Sequence, residues 1–179
     1  MKLNYKRTFF VGMAFLSISA FWQMYDNIIP LILQNTFHLN ETIIGAIMAM
    51  DNVLAVFLLP VIGTLSDKVD TKMGKRTPFI VGGTFAAAIC MMLLPLADHY
   101  KMLGLFIVAL ALTLIAMAMY RSPAVALMPD LTPKPLRSSA NAVINLMGAV
   151  GAIYALILIR LLVKKEEHPS YLPVFLGVV

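Results

Sequence analysis

Charge is the scarcest property of this chain. Only 13% of its 179 residues are Asp, Glu, Lys or Arg, against 60% hydrophobic residues. Soluble domains carry about 25% charged residues. A water-soluble fold has no place to hide this much apolar side chain, so the solvent for most of the chain is lipid. Cysteine is nearly absent. Cys90 stands alone inside an apolar run, which excludes an internal disulfide framework and reads as a small packing residue. No Gly-rich phosphate loop, Cys/His zinc pattern, serine-protease signature or basic–aromatic face occurs. The sequence therefore offers no catalytic set, no metal site, no cofactor and no nucleic-acid partner. His38, His99 and His168 fall in loops and share no ligand spacing. The thirteen methionines are scattered through the apolar runs as packing residues.

Long uncharged runs are what the sequence does have. A membrane-crossing helix needs about 20 apolar residues. Thr8–Leu33 meets that length with Asp26 as its one charge, and Thr42–Ser66 meets it with Asp51. Pro78–Ala97, Met102–Tyr120 and Ala140–Ile159 are free of charge. The first run follows Lys2, Lys6 and Arg7 but lacks a small-residue cleavage site, so it reads as a span and not as a signal peptide. Tyr171–Val179 is apolar but reaches only about 14 Å as a helix. A backbone ending there would leave carbonyls unpaired in lipid, so the sequence predicts five spans, the start of a sixth and a longer parent chain.

Basic residues set the expected orientation. Lys2, Lys6, Arg7, Lys68, Lys72, Lys75, Arg76, Lys134 and Arg137 fall on one side; Lys101, Lys164 and Lys165 fall on the other, the last two followed by Glu166-Glu167. The excess predicts a cytoplasmic N-terminus in a plasma-membrane protein. The net charge of +5 is thus explained by topology.

The charges that remain are concentrated. Asp67, Lys68, Asp70, Lys72, Lys75 and Arg76 crowd into ten positions between the second and third spans. Gly63 is placed to allow close helix packing at the membrane face, and Pro78 suits the first turn of the third helix. A topology anchor would need only lysines. The pattern Gly63-x-x-x-Asp67-Lys68, followed by Gly74-Lys75-Arg76, instead resembles the loop signature of the major facilitator superfamily. Val69–Met73 make the spacing longer than the common form. That longer form, ending in Pro78-Phe79, is similar to sucrose-transporter-like and other glycoside:cation symporter members. Asp130 and Arg137, seven residues apart after the fourth span, resemble the acidic-x(6)-Arg element of sugar porters.

The resemblance implies an all-α membrane fold: the N-terminal six-helix bundle of a twelve-helix transporter, built of two inverted three-helix repeats (1–100 and 101–179), with the sixth helix incomplete. It implies that Gly63, Asp67, Lys68, Gly74, Lys75, Arg76, Asp130 and Arg137 form a conformational latch, and that a C-terminal half completes the protein. It also implies a small-molecule solute, a sugar or glycoside, moved by alternating access.

Charges at membrane depth are costly and mark candidate sites. Asp26 shares one helix face with Ser19, Gln23 and Pro30. It reads as a solute- or proton-binding group, or as an interfacial acid. Asp51, beside Asn52, reads as functional or as a structural hydrogen-bonding group. Arg121 ends the fourth span at Tyr120-Arg121-Ser122-Pro123, as a cavity residue or a snorkelling cation. Asp26 lies roughly 27 Å of helix from Thr8, and Arg121 roughly 28 Å from Met102, so a direct ion pair is not expected. Asn141, Asn145 and Gly148 share one side of the fifth helix and read as packing or as sugar contacts. Melibiose-type sodium symporters place cation-binding acids on helices two and four, a set this chain does not present. Proton coupling is therefore expected ahead of sodium coupling. The rival readings are a facilitator of another class, such as a drug or metabolite exporter, and a non-transporting half acting as a membrane partner.

Overall fold

The computed structural model describes residues 5–71, 74–163 and 170–179, with residues 6 and 7 described by backbone alone. Lys2, Lys72, Lys164, Lys165, Glu166, Glu167 and His168, and the side chains of Lys6 and Arg7, lie outside the described residues. Within them the chain forms α1 (Tyr5–Asn35), α2 (Glu41–Lys68), α3 (Thr77–His99), α4 (Leu103–Leu131), a 3-10 turn at Lys134–Leu136, α5 (Arg137–Leu162) and α6 (Leu172–Val178). No strand occurs among the described residues. Five of the helices, α1 to α5, are long and apolar enough to cross a membrane.

Local chemistry sets the helix ends. Asn40 caps α2 by accepting from the Ile43 backbone N–H at 2.9 Å. Glu41 lies in the first turn of α2 and Lys68 in its last, the arrangement the helix dipole favours. Pro78 occupies the first turn of α3, where its missing N–H leaves no bond unmade. His99 is the last residue of α3 and not a loop residue.

α1 packs along α5, α3 packs along α4, and α2 leans on α4. Met24, Ile28, Ile29, Ile32 and Leu33 of α1 are fully buried, as is Phe106 of α4, while Leu94 of α3 is 1% exposed. Tyr171, which precedes α6, and Val174 and Phe175 of α6 join this core. Close backbone approach tightens two crossings. A Cβ on Gly151 would lie 2.0 Å from the Leu16 carbonyl oxygen, and one on Gly83 would lie 2.8 Å from the Tyr120 backbone nitrogen. Without a strong hydrophobic drive between helices in lipid, such small-residue contacts carry much of the association. α2, by contrast, buries only Ile44, Ile62 and Ser66.

One expected boundary moves. α4 does not end at Tyr120 but continues eleven residues further, through Pro123 and Pro129. At Asn35, Lys68 and His99 the neighbouring helices likewise end well past their internal prolines, Pro30, Pro60 and Pro95. Prolines are tolerated in membrane helices because neighbouring groups satisfy the freed backbone. In α4, Pro123 and Ala124 are buried against the bundle, and Ser122 Oγ donates to the Leu59 carbonyl of α2 at 3.1 Å. Packing therefore holds the helix through the break. At 1.5 Å per residue α4 spans about 43 Å, longer than the ~30 Å hydrocarbon core. Arg121 consequently lies inside the helix and not at its end.

Candidate functional site

At one end of the bundle the charged loop folds onto the ends of three helices. Ser66, fully buried, donates to the Gly63 carbonyl at 2.8 Å. A methyl on Gly63 would sit 3.4 Å from Ser122 Oγ, an ordinary contact. α2 and α4 therefore come close at Gly63, with room left for a Cβ. Gly74 has a different reason to be glycine: its φ is +97°, a region where a side chain is strained. Thr71 closes that turn, accepting the Gly74 N–H at 2.9 Å through its carbonyl and donating its hydroxyl to the Gly74 carbonyl at 2.7 Å.

Arg76 is the centre of the charge cluster. One terminal nitrogen lies 2.9 Å from Asp67 Oδ1, and Nε donates to Asp130 Oδ2 at 2.6 Å. The Arg76 side chain is 14% exposed, while Asp67 and Asp130 are 59% and 51% exposed. This fork ties the end of α2, the start of α3 and the end of α4. Each exposed pair is worth about 0.2–1 kcal/mol, so the linkage biases a conformation without locking it. Arg137 takes a different part. It donates to the carbonyls of Pro129 at 3.0 Å and Thr132 at 3.3 Å, capping the end of α4. Lys68 and Lys75 are exposed and, among the described residues, form no ion pair.

Deeper in the bundle Trp22 separates two spaces. On one side, a cleft of about 300 Å³ lies between α1 and α5, lined by Ser19, Trp22, Gln23, Asn145 and Gly148, with Phe15 and Ala152 among its apolar residues. On the other, a cavity of about 20 Å³ is lined by Trp22, by Asp51 of α2 and by Arg121 of α4. The Arg121 guanidinium sits 5.3 Å from the Trp22 ring centroid, a cation–π contact. Trp22 Nε1 is buried and has no acceptor; such an unsatisfied donor costs about 1–3 kcal/mol.

The expected polar groups divide accordingly. Gln23 and Asn145 both line the cleft, and Asp51 and Arg121 share the small cavity. Asn27 Nδ2 donates to the Gln23 carbonyl at 2.7 Å. Asp26 is exposed, within electrostatic range of Asp51, and makes no ion pair with Arg121 among the described residues. Asp51 Oδ1 accepts from the Asn52 backbone N–H at 2.6 Å and from its side-chain amide at 2.8 Å. Asn52 and Asn141 are exposed and line neither space.

Comparison with known proteins now bears on this arrangement. Residues 11–178 match the family model of the Major Facilitator Superfamily. The chain belongs to that superfamily. The sucrose transport protein SUC3 of Arabidopsis thaliana is similar, at 33% identity over 113 residues, which cover 52% of this chain and 19% of that protein. The chain thus matches about a fifth of the length of that relative. No solved structure matches. As a major facilitator chain with five spanning helices, it is a multi-pass membrane protein of a family of solute transporters.

The facilitator bundle also holds groups that sequence reasoning missed. Trp22 sits next to Gln23 but looks in sequence like any apolar core aromatic. At the end opposite the charged loop, Thr36 Oγ1 donates to Asp98 Oδ1 at 2.6 Å, and Asn35 Nδ2 donates to the Tyr171 hydroxyl at 3.1 Å. These four line a space of about 520 Å³ where α1, α3 and α6 converge. Asp98 as the single acid at the end of an apolar run was the available signal. Among the described residues, no group of three or more His, Cys, Asp or Glu is placed to hold a metal.

Proposed function

We propose that this chain forms the N-terminal bundle of a secondary active transporter that carries a sugar or glycoside across the plasma membrane by alternating access, coupled to protons. The observation that carries the reading is the polar cleft itself: Ser19, Gln23 and Asn145 present hydroxyl and amide groups between α1 and α5, the chemistry that hydrogen-bonds to sugar hydroxyls. The similarity to a sucrose transport protein supports the same solute class.

The packing supports a two-repeat organisation, 1–100 and 101–179. Exchanging α1 with α4, α2 with α5 and α3 with α6 converts the α1–α5 contact into α4–α2, and the α3–α4 contact into α6–α1; all four contacts occur. In transporters built from inverted repeats, solute binds at the repeat interface near the midplane; the cleft and the small cavity, which share Trp22 and are lined by Gln23, Asp51 and Arg121, are the candidates for that site. A second bundle closes the cleft in this reading. The Asp67–Arg76–Asp130 fork acts as the latch, and the N-terminus lies in the cytoplasm with the basic loop. Asp26 and Asp51 are the candidate proton carriers.

Reconstituted protein with an imposed pH gradient tests the proposal. Sucrose and simple glycosides should accumulate and carry protons with them. Accumulation of a drug or metabolite, with no sugar-dependent proton movement, would replace this reading with that of an exporter.

A further inference from the structure

At the end opposite the charged loop, the cavity of about 520 Å³ is lined by one acid and two basic side chains, Asp98, His99 and Lys101. His99 and Lys101 lie within electrostatic range of Asp98. Among the described residues, none of the three is in an ion pair. Asp98 Oδ1 accepts from Thr36 Oγ1 at 2.6 Å, and nothing described donates to Oδ2.

Lys101 is kept at a strained position. It follows α3 with a φ of +52°, where the left-handed backbone favours glycine over any residue with a Cβ. Its N–H donates to the Asp98 carbonyl at 3.0 Å, and the Met102 N–H donates to the Ala97 carbonyl at 3.0 Å, a helix stop that usually carries glycine. The backbone gains nothing from lysine here, so the reason for it lies in the ammonium group. The cavity also sits where two spanning helices end, α1 at Asn35 and α3 at His99, the level of lipid headgroups. Its apolar lining comes from Met92, Pro95 and Leu96, up to two turns deeper in α3, and from Leu172 of α6. Leu96 and Leu172 are exposed, so the cavity opens onto the surface of the bundle.

We propose that this cavity is a phospholipid headgroup site selective for a primary ammonium. Asp98 takes the ammonium of an ethanolamine phosphodiester, Lys101 takes the phosphate, and the first part of an acyl chain runs over Leu96 and Leu172. A zwitterion suits the site because the opposite charges of the protein stand near one another but unpaired. An anionic headgroup would leave Asp98 without a partner, and a quaternary ammonium has no N–H to donate to it. A zwitterion without a chain would leave the two leucines uncovered. Thr36 and Asn35 already tie α1 to Asp98 and Tyr171, so the lipid braces an end where three helices meet. The inference holds whichever solute the protein carries.

The test titrates the full-length protein in detergent with dioleoyl lipids carrying ethanolamine, choline or glycerol headgroups. Water-soluble glycerophosphoethanolamine, the same headgroup without chains, is the fourth probe. Native mass spectrometry counts what is retained. The ethanolamine lipid should bind about ten- to hundredfold tighter than the other two lipids, the worth of one charged hydrogen bond. Asp98→Asn keeps an acceptor for Thr36 and should erase that preference. Lys101→Gly should weaken all three lipids about tenfold, while the lipid-free Tm holds or rises because glycine relieves the turn. Equal affinity of the wild type for ethanolamine and choline lipids overturns the Asp98 contact and the proposal with it. Unchanged binding in Lys101→Gly overturns the phosphate contact. Glycerophosphoethanolamine binding as tightly as the dioleoyl lipid assigns the cavity to a soluble zwitterion and overturns the lipid. Should Asp98→Asn fail to fold, the headgroup comparison in the wild type and the Lys101→Gly variant still decide.

Discussion

The charged end and the Trp22 region use similar residues to opposite effect. At the charged end Arg76 has two carboxylates in hand, at 2.9 and 2.6 Å, and Arg137 spends its donors on carbonyls of α4. In the Trp22 region Arg121 rests on an aromatic face while Asp51 lines the same cavity. Asp26 is exposed and the indole donor is unused. One region has met its bonding capacity, and so favours one conformation. The other retains unmet capacity, and so favours an incoming partner. A ligand shifts a conformational equilibrium only through its differential affinity for the two states, and under the transport reading proposed above the two regions divide that work between them.

If that division is right, substitutions in the two regions change different kinetic constants. The largest effect is expected in the unsatisfied region. Asp26→Asn should abolish uphill accumulation of solute while sparing downhill exchange, measured as gradient-driven uptake against counterflow. Unchanged accumulation would clear Asp26 of any coupling role. Next comes Arg76→Ala, which removes both ion pairs at the charged end. Two exposed pairs of up to about 1 kcal/mol each allow at most about a thirtyfold change in the balance of states. The maximal rate should fall within that limit with KM nearly constant; a KM effect larger than the rate effect would join the two regions into one. Asp67→Asn leaves Asp130 on Arg76, so the slowing should be smaller, at most about fivefold. Both rate effects should shrink as salt rises, because the carboxylates are solvent-exposed.

Legibility in sequence followed the same division. The spans, the charged loop and the helix start at Pro78 were readable because hydropathy and local capping depend on neighbours in the chain. Asp67, Arg76 and Asp130 were nameable because their motif is short and charged. What the sequence did not reveal depended on contacts between helices. The continuation of α4 past Tyr120 rests on the burial of Pro123 and Ala124 and on the Ser122 bond to α2, none of which a hydropathy window contains. Trp22 was passed over because its unused donor exists only once α2, α4 and α5 have packed around it. The assignment of Arg137 to carbonyls was hidden for a related reason: those carbonyls are free only because α4 ends at Leu131.

The smallest expected effect gives the finest comparison. Asn141 and Asn145 lie one helical turn apart on α5 and look equivalent in sequence. Both are exposed, but Asn145 lines the cleft with Gln23 and Trp22, whereas Asn141 lines neither space. Asn145→Ala should raise KM for the solute about two- to tenfold, the worth of one neutral hydrogen bond. Asn141→Ala should leave KM within about twofold, because Asn141 lies outside the cleft and substitutions away from a binding feature usually change little. Equal effects from the two would mean that the polar cleft between α1 and α5 is not where solute is held, and that Arg121, Asp51 and Asp26 must do the recognition from the other side of Trp22.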